Sequence, residues 1–213
     1  MRTLSAYKQS KNGTIVPMKL YPYESAFVVF RKSAGKPAGE SIEQNFPAPE
    51  TLITLDQPWQ VSFKDTRRGP KETQTFTSLI DLSKHENDLI RYYSGTITYT
   101  TTLSLPEIPQ GDLYLNLNNV GVMAKVKING QYAGGVWTPP YRVNVSDLMK
   151  QGDNQVEIEV VTTWQNRLIG DSMLPEEERT TWIPCNNWSE KDALQKSGLI
   201  GPVTLEKEKF TEQ

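Results

Sequence analysis

The sequence predicts an all-β protein built as an antiparallel β-sandwich, and three observations carry the prediction. From about residue 51 onward, short segments with apolar residues at alternate positions are separated by turn residues, as in sandwiches and barrels. The chain contains 14 Gly and 14 Pro, which suits a fold with many turns. No segment of about ten residues has convincing helical periodicity.

The first 33 residues predict two strands, TIVPMKL and AFVVFRK, joined by the turn PYES. AFVVF is an unbroken apolar run, which is typical of a strand buried on both faces. Because two strands alone are marginally stable, we expect residues 1–33 to come from, or bridge to, an upstream domain. Without that domain, AFVVF must find another cover or form an apolar patch. Residues 34–50, rich in Gly, Pro, Ser and charge, predict a linker.

The sandwich is expected over residues 51–208, with a tail at 209–213. Its longest strand, GTITYTTTLSL, alternates apolar and Thr residues, and LYLNLN and QVEIEVV repeat the alternation. Shorter strands are predicted at TLITL, WQVSFK and IGPVTLEKE. Since strand side chains alternate between two faces, one face of each long strand is expected in the core. Those positions are Ile97, Tyr99, Thr101, Leu103, Leu105, Leu113, Leu115, Leu117, Val156, Ile158 and Val160.

Two connections have local signals. AKVKINGQYAGG predicts a β-hairpin, because Asn129 and Gly130 accept the positive φ angles of a tight turn. SLIDLSKHENDLIRYY predicts one or two helical turns.

Composition excludes several classes of protein. The net charge is −2 and no segment is strongly basic, so nucleic acid is a poor candidate for a partner. Cys185 and His85 are each the only residue of their type, which excludes an internal disulfide and the usual zinc motifs. No apolar run approaches the ~20 residues of a membrane span, and the first residues lack the apolar core of a signal peptide.

Three segments resemble the sugar-binding jelly-roll domain of glycoside hydrolase family 2: YYSGTITYTTTLSLP, LYLNLNNVGVMAKVKINGQYAGGVWTPPYRVNVSDLMKQGDNQVEIEVVTTW and SGLIGPVTL. The matching positions are Tyr99, Thr101, Val120, Ala124, Asn129, Gly130, Gly134, Pro140, Leu148, Gly152, Asn154, Ser197 and Gly198. The resemblance implies that the sandwich is a galactose-binding-domain-like jelly roll.

A narrower resemblance is to the C-terminal β-sandwich of family 106, the α-L-rhamnosidases. It is carried by VWTPPYRV, WQNRLIGDSMLPEEERTTW and SGLIGPVTL, and MKLYPYESAFVVFRK resembles the end of the preceding domain. In those enzymes catalysis belongs to a (β/α)₈ barrel, and this chain has no alternating βα pattern. The resemblance therefore implies a non-catalytic accessory domain that packs beside a catalytic barrel, in a periplasmic or secreted enzyme.

WQNRLIGD, which follows the strand QVEIEVV, contains the side-chain types of a sugar site. Asn166, Arg167 and Asp171 donate and accept hydrogen bonds, and Trp164 offers a ring on which a sugar stacks. The other interpretation is a structural corner, with Trp164 continuing the inward parity of the strand and Arg167 paired with Asp171. The family 2 resemblance favours contact with ligand or another domain, because the loop after this strand reaches toward the catalytic barrel there.

GGVWTPPYRV offers a second candidate contact. Pro139 and Pro140 stiffen the loop and present Trp137 and Tyr141. A rigidly held, exposed indole is a sugar platform; the alternative is a buried indole that closes one end of the sandwich.

LPEEERTTWIPCNNW follows, and its glutamates together with Asp171 would supply the two carboxyl groups of a glycosidase. Pro175 before three glutamates is also a helix start, and we favour that interpretation, so no catalytic residue is assigned. Trp182 and Trp188 are expected to pack this excursion onto the sandwich.

One segment contains candidate ligands for a metal ion. Jelly-roll sugar-binding domains often hold a structural calcium, and DLSKHEND supplies oxygen donors at Asp81, Glu86, Asn87 and Asp88. The segment lacks the spacing of an EF-hand, so ordinary loop polarity is the default and no cofactor is expected.

Three functions follow from these readings of the chain. The favoured one is an accessory domain that binds carbohydrate weakly and packs on the catalytic domain of its parent enzyme. The second is a purely structural interdomain module, and the third, least favoured, is a small self-sufficient glycosidase that uses Asp171. The residues expected to contact sugar are Trp137, Tyr141, Trp164, Asn166, Arg167 and Asp171.

Overall fold

A computed structural model describes residues 4, 6–30 and 45–208 of the protein. Two antiparallel sheets face each other across one hydrophobic core, which confirms the predicted all-β sandwich. Within the described residues, no helix is long and apolar enough to cross a membrane.

The strands of the described residues form two large sheets and two small ladders. In chain order they are β1 (Lys8–Ser10), β2 (Gly13–Ile15), β3 (Glu50–Thr54), β4 (Trp59–Phe63), β5 (Gln74–Phe76), β6 (Thr96–Leu105), β7 (Leu113–Asn116), β8 (Val120–Gly121), β9 (Met123–Ile128), β10 (Gln131–Val136), β11 (Arg142–Asn144), β12 (Gly152–Val161), β13 (Gly198–Leu199) and β14 (Thr204–Lys207). One sheet has the order β10-β9-β12-β6-β4-β5 and the facing sheet β11-β7-β14-β3. β1 pairs with β2, and β13 pairs with β8.

Helices in the described residues are short. They are α1 (Asp88–Arg91), α2 (Gln165–Ser172) and three 3₁₀ turns at Leu82–Lys84, Ser146–Leu148 and Glu176–Glu178. The first 3₁₀ turn and α1 confirm the helical turns expected in SLIDLSKHENDLIRYY.

The core follows the alternation of the sequence. β12 pairs with β6 without interruption from Gly152 opposite Leu105 to Val161 opposite Thr96. All eleven residues predicted to face inward on β6, β12 and the LYLNLN segment are buried. The predicted core is therefore confirmed along β6 and β12 of one sheet and β7 of the other.

Two glycines that match the family 2 pattern have clear physical roles. Asn129 and Gly130, with φ angles of 52° and 80°, form the tight turn between β9 and β10 and confirm the predicted hairpin. Gly198 has a φ of 86°, and a Cβ there would lie 2.6 Å from the hydroxyl of buried Tyr99. The motif glycine at 198 lets the chain pass closely over the core.

The N-terminal segment differs from its prediction. Its strands are β1 and β2, whereas AFVVF, residues 26–30, belongs to no strand among the described residues. Phe27 is 97% exposed, and Val29 and Phe30 are also exposed. The expectation of burial on both faces is wrong within this chain, because no described residue covers the run, and the result is the apolar patch anticipated without an upstream domain.

Asn45, near the end of the predicted linker, is bonded to the N-terminal segment. Its side-chain amide accepts from the Ala6 amide nitrogen at 2.8 Å and donates to the carbonyls of Ala6 and Pro17 at 2.8 and 3.0 Å. Most of the predicted linker, residues 34–44, and the predicted tail at 209–213 lie outside the described residues.

Candidate functional site

The segment WQNRLIGD forms α2, a helix directly after β12, rather than an irregular loop. Asp171 is 1% exposed, and its Oδ1 lies 2.9 Å from Nη2 of Arg167, one helical turn earlier. Asp171 Oδ2 accepts hydrogen bonds from the amide nitrogens of Thr180 and Thr181 at 3.2 and 2.9 Å, and from the Thr181 hydroxyl at 2.5 Å. The carboxylate therefore holds the chain that follows the helix.

Three further hydrogen bonds attach residues 173–197, the excursion after α2, to the helix. The side chain of buried Asn166 accepts from the Gln195 amide nitrogen and donates to the Gln195 carbonyl, both at 2.8 Å. The Asn186 side chain donates to the Leu168 carbonyl at 3.0 Å. The polar residues of α2 thus anchor an excursion that contains only one short 3₁₀ turn of regular structure before β13.

Of the WQNRLIGD side chains proposed for sugar contact, the structure brings only Trp164 to the surface. The ring is 50% exposed, with the guanidinium of Arg68 centred 4.7 Å from it. The inward parity expected for Trp164 is wrong, because β12 ends at Val161 and Trp164 already has a helical backbone conformation. Asn166, Arg167 and Asp171 are buried and bonded to the protein, which favours the structural corner for these three.

Trp137 lies at the surface after β10 and is 72% exposed, so the alternative of a buried indole is wrong. It lines a cleft of about 240 Å³ between the loop after β10 and the PYES turn. The cleft residues are Pro22, Tyr23, Glu24, Gly135, Val136, Trp137, Thr138, Pro139 and Pro140. Aromatic rings, prolines and one carboxylate thus meet in an open concave surface.

The N-terminal wall of this cleft was not predicted. Tyr23 is exposed with a φ of 67°, and the Glu24 Oε2 atom accepts from the Tyr21 amide nitrogen at 2.8 Å, which leaves Oε1 without a hydrogen bond among the described residues. The PYES segment carried a turn signal, but nothing in the sequence indicated that this turn would lie against Trp137.

Tyr141 does not share the cleft with Trp137. Its side chain is partly buried against the hydrophobic core, and its carbonyl accepts from the Leu117 amide nitrogen at 2.8 Å. Of the two aromatic residues in GGVWTPPYRV, the exposed platform is therefore Trp137.

The excursion gives no catalytic pair. Glu176, Glu177 and Glu178 form an exposed 3₁₀ turn after Pro175, as the helix-start interpretation predicted. Asp171 faces Arg167 and the threonines and is buried. Trp182 is 85% exposed, so the expectation that it packs onto the sandwich is wrong.

The oxygen donors of DLSKHEND serve local structure. Asp81 Oδ1 accepts from the amide nitrogens of Ser83 and Ser197, and Asn87 caps α1 through the amide nitrogen of Leu89. Asp88 is paired with Arg91. Within the described parts of the chain, no three His, Cys, Asp or Glu side chains converge as metal ligands.

Comparison with known proteins identifies relatives much longer than this chain. A putative β-glucuronidase from Formosa agariphila is 31% identical over an alignment of 202 residues, and the match covers 83% of this chain and 17% of that protein. The structure of a rhamnosidase from Novosphingobium sp. PP1Y matches with a TM-score of 0.81 and 35% identity, over 94% of this chain and 19% of that one. This chain spans less than a fifth of either relative.

A β-glucuronidase from Ruminococcus gnavus shares the fold, with a TM-score of 0.54 and 18% identity over 78% of this chain and 30% of that one. The profile of one protein family, described as the glycosyl hydrolase 2 galactose-binding domain-like family, matches residues 76–197, more than half of the chain. The matched range runs from β5 through the excursion after α2 and so includes both Trp137 and α2. The chain belongs to the galactose-binding-like domains of glycosyl hydrolase family 2.

Proposed function

We propose that this chain is a non-catalytic accessory domain of a larger glycoside hydrolase of the family 106 α-L-rhamnosidase type, and that it contacts carbohydrate weakly at Trp137. The observation that carries the sugar contact is the indole of Trp137, 72% exposed in a cleft of about 240 Å³. The rhamnosidase likeness, with a TM-score of 0.81 at 35% identity, supports the parent enzyme.

The cleft has the two components that a sugar site requires. The apolar face of a sugar ring stacks on the Trp137 indole, and Oε1 of Glu24, which has no hydrogen bond among the described residues, accepts one from a hydroxyl group. Because the cleft is open and buries little of a ligand, we expect weak binding. Trp164 is a secondary candidate, since half of its surface is exposed, whereas the proposal gives Asn166, Arg167, Asp171 and Tyr141 a supporting role.

The proposed partner besides carbohydrate is the catalytic domain of the parent enzyme. Residues 1–33 would belong to or bridge to an upstream domain, 34–50 would form the linker, 51–208 the sandwich and 209–213 the tail. The exposed AFVVF run supports this division, because an apolar surface of that kind is normally covered by a partner. A periplasmic or secreted location follows from the parent enzyme proposed here.

The test is a titration of the chain that follows tryptophan fluorescence, with L-rhamnose, D-galactose and a rhamnose-rich plant oligosaccharide. We expect a saturable change that Trp137→Ala abolishes. Trp182→Ala is the matched control, because Trp182 is an even more exposed indole outside the cleft, and it should leave the affinity unchanged. No saturable change up to tens of millimolar would overturn the sugar contact.

A structural interdomain module is the second candidate, and the exposure of Phe27 and Phe30 favours it. In that case Trp137 and AFVVF both face the neighbouring domain. Trp137→Ala would then weaken the association of this chain with the catalytic domain and would not alter any response to sugar.

A further inference from the structure

We propose that the outer face of the six-stranded sheet carries a second carbohydrate site, selective for uncharged sugars. A cleft of about 300 Å³ lies on this face, at the lower end of the ~300–1,000 Å³ range of small-ligand sites. It is lined by Gln57, Pro58, Gln60, Thr100, Thr101, Thr102 and Gln155. It shares no residue with the cleft at Trp137 and has no aromatic ring, so the site goes beyond the function proposed above.

The floor of the cleft is formed by neighbouring positions on three strands. Gln60 on β4 lies opposite Thr100 on β6, and Gln155 on β12 lies opposite Thr102 on β6. Their side chains point away from the core, as the alternation of burial along each strand shows. Two amides and two hydroxyls are thus held at fixed spacing by the central strands of the sheet.

The wall of the cleft is fastened to this floor. Thr101 faces inward, and its hydroxyl donates to the carbonyl of Pro58 at 3.2 Å, which holds the loop before β4 against β6. The Gln60 amide is oriented by Thr75, with hydrogen bonds of 3.2 and 3.3 Å. The Gln60 amide is therefore positioned before any ligand arrives, which lowers the entropic cost of its part in binding.

Several polar groups in the cleft remain available to a ligand. The side chains of Gln57, Thr102 and Gln155 make no hydrogen bond to any described residue. Each amide and hydroxyl can donate and accept, which matches the hydroxyl groups of a sugar.

The cleft lining has no charged residue. Glu157 on β12 lies opposite Thr100 at the margin of the cleft, and Nζ of Lys127 binds Glu157 and Glu159 at 2.6 and 2.9 Å. An anionic ligand finds no cation in the lining and a carboxylate, Glu157, at its margin. An apolar ligand would leave amide groups unpaired at a cost in free energy. The geometry therefore favours a neutral saccharide over a uronic acid or an apolar molecule.

The test is NMR of the ¹⁵N-labelled chain, observing the side-chain amide groups of Gln57, Gln60 and Gln155. Lactose and L-rhamnose are the neutral probes, and D-glucuronate is the charged control. We expect saturable shifts with a neutral probe at tens of millimolar, no comparable shift with D-glucuronate, and the same shifts in Trp137→Ala. If the shifts persist in Trp137→Ala, the binding they report occurs at this site and not at the cleft beside Trp137.

Two variants establish the location. Thr102→Val and Gln155→Leu keep the size of the side chain and remove its hydrogen bonds, so each should weaken binding by about tenfold. Thr98→Val is the matched control, because Thr98 is on the same strand and face but outside the cleft. The proposal is overturned by any of three results. These are no saturable shift with either neutral probe, loss of the shifts in Trp137→Ala, or unchanged affinity in Thr102→Val and Gln155→Leu relative to the unmodified chain.

Discussion

Asp171 and Arg167 are residue types suited to binding a sugar, and the fold uses them instead to join two parts of the chain. Their side chains are 2% and 7% exposed, and their charged groups are 2.9 Å apart. A buried pair of this kind contributes little net stability over apolar residues, but removing one partner leaves a buried charge uncompensated. Loss of the Asp171 carboxylate should therefore destabilise the protein far more than loss of an exposed carboxylate.

Asp171→Asn is expected to lower the free energy of unfolding by about 3 kcal/mol, because it strands the Arg167 guanidinium and weakens the bonds to Thr180 and Thr181. Urea unfolding measures the change. The control is Glu177→Gln on the exposed 3₁₀ turn, which should change the stability by no more than about 0.5 kcal/mol. Equal stabilities for the two variants would contradict the anchoring role of Asp171.

Glu159 gives a prediction about pH. A hydrogen bond from the Lys127 ammonium lowers the pKa of the Glu159 carboxyl from its ordinary value of about 4.5, against a smaller opposing effect of burial. A group whose pKa is lower in the folded state stabilises the protein above its unfolded-state pKa, and that stabilisation is lost as pH falls through the folded value. Glu159→Gln should therefore reduce the loss of stability on acidification below about pH 4.5.

Unfolding free energies measured by urea at several pH values between neutrality and acid test this expectation. Glu107→Gln, at an exposed position, is the control and should keep the acid dependence of the parent. The same slope in Glu159→Gln as in the parent would show that the contact with Lys127 has no thermodynamic effect.

At the scale of elements, the hairpin of β9 and β10 is tied to its neighbours through asparagines. The Asn129 side chain donates to the Leu148 carbonyl at 3.0 Å and to Oδ1 of Asn154 at 2.9 Å, and Asn154 Oδ1 also accepts from the Lys150 amide nitrogen. The turn conformation at Asn129 and Gly130 therefore also fixes the connection that leads into β12.

Gly130→Ala should lower the free energy of unfolding by about 1 kcal/mol, because the Cβ of alanine is sterically unfavourable in the left-handed conformation. The cause is backbone conformation alone, since no atom lies within 4 Å of the added Cβ and the φ angle is 80°. Gly130→Asn is the matched control, because asparagine tolerates this conformation, and it should recover most of the loss in thermal unfolding. A larger loss in Gly130→Asn than in Gly130→Ala would rule out this explanation.

The sequence predicted the elements whose pattern is local and missed those decided by distant contacts. The strict alternation of β6 and β12 predicted both strands and their buried faces, and Asn129-Gly130 predicted the hairpin. α2 was missed because its eight residues are short and its buried face is polar, satisfied by Thr180, Thr181 and Gln195. No local pattern signals partners that arrive about ten to thirty residues later.

The same limit applies to the candidate site. The prolines beside Trp137 correctly indicated a presented indole, but the other wall of its cleft comes from Tyr23 and Glu24, more than a hundred residues earlier. The alternative that placed Trp164 inside the core is wrong because it extended strand parity past the end of β12 at Val161. The alternation of a strand predicts which face a side chain occupies only for residues within that strand.

At the scale of the whole molecule, the largest anomaly is the distribution of apolar surface. The core residues lie in one cluster between the two sheets, whereas Phe27, Val28, Val29 and Phe30 are together at the surface. The backbone of residues 26–30 also makes no hydrogen bond to any described residue. An apolar segment whose backbone has no partner among the described residues can pair with another chain, which is consistent with the proposed role beside a second domain.

The chain by itself is therefore expected to self-associate through residues 26–30. Light scattering coupled to size-exclusion chromatography should show a mass that rises with protein concentration, and the double variant Phe27→Ser, Phe30→Ser should remain monomeric. Because these rings are exposed, the double variant should keep the free energy of unfolding of the unmodified chain to within about 0.5 kcal/mol. Ile15→Ser, at an exposed apolar position in β2, is the control and should associate as the parent does. A parent chain that stays monomeric at all concentrations would show that AFVVF is tolerated in water and would remove the main support for an interdomain partner at this segment.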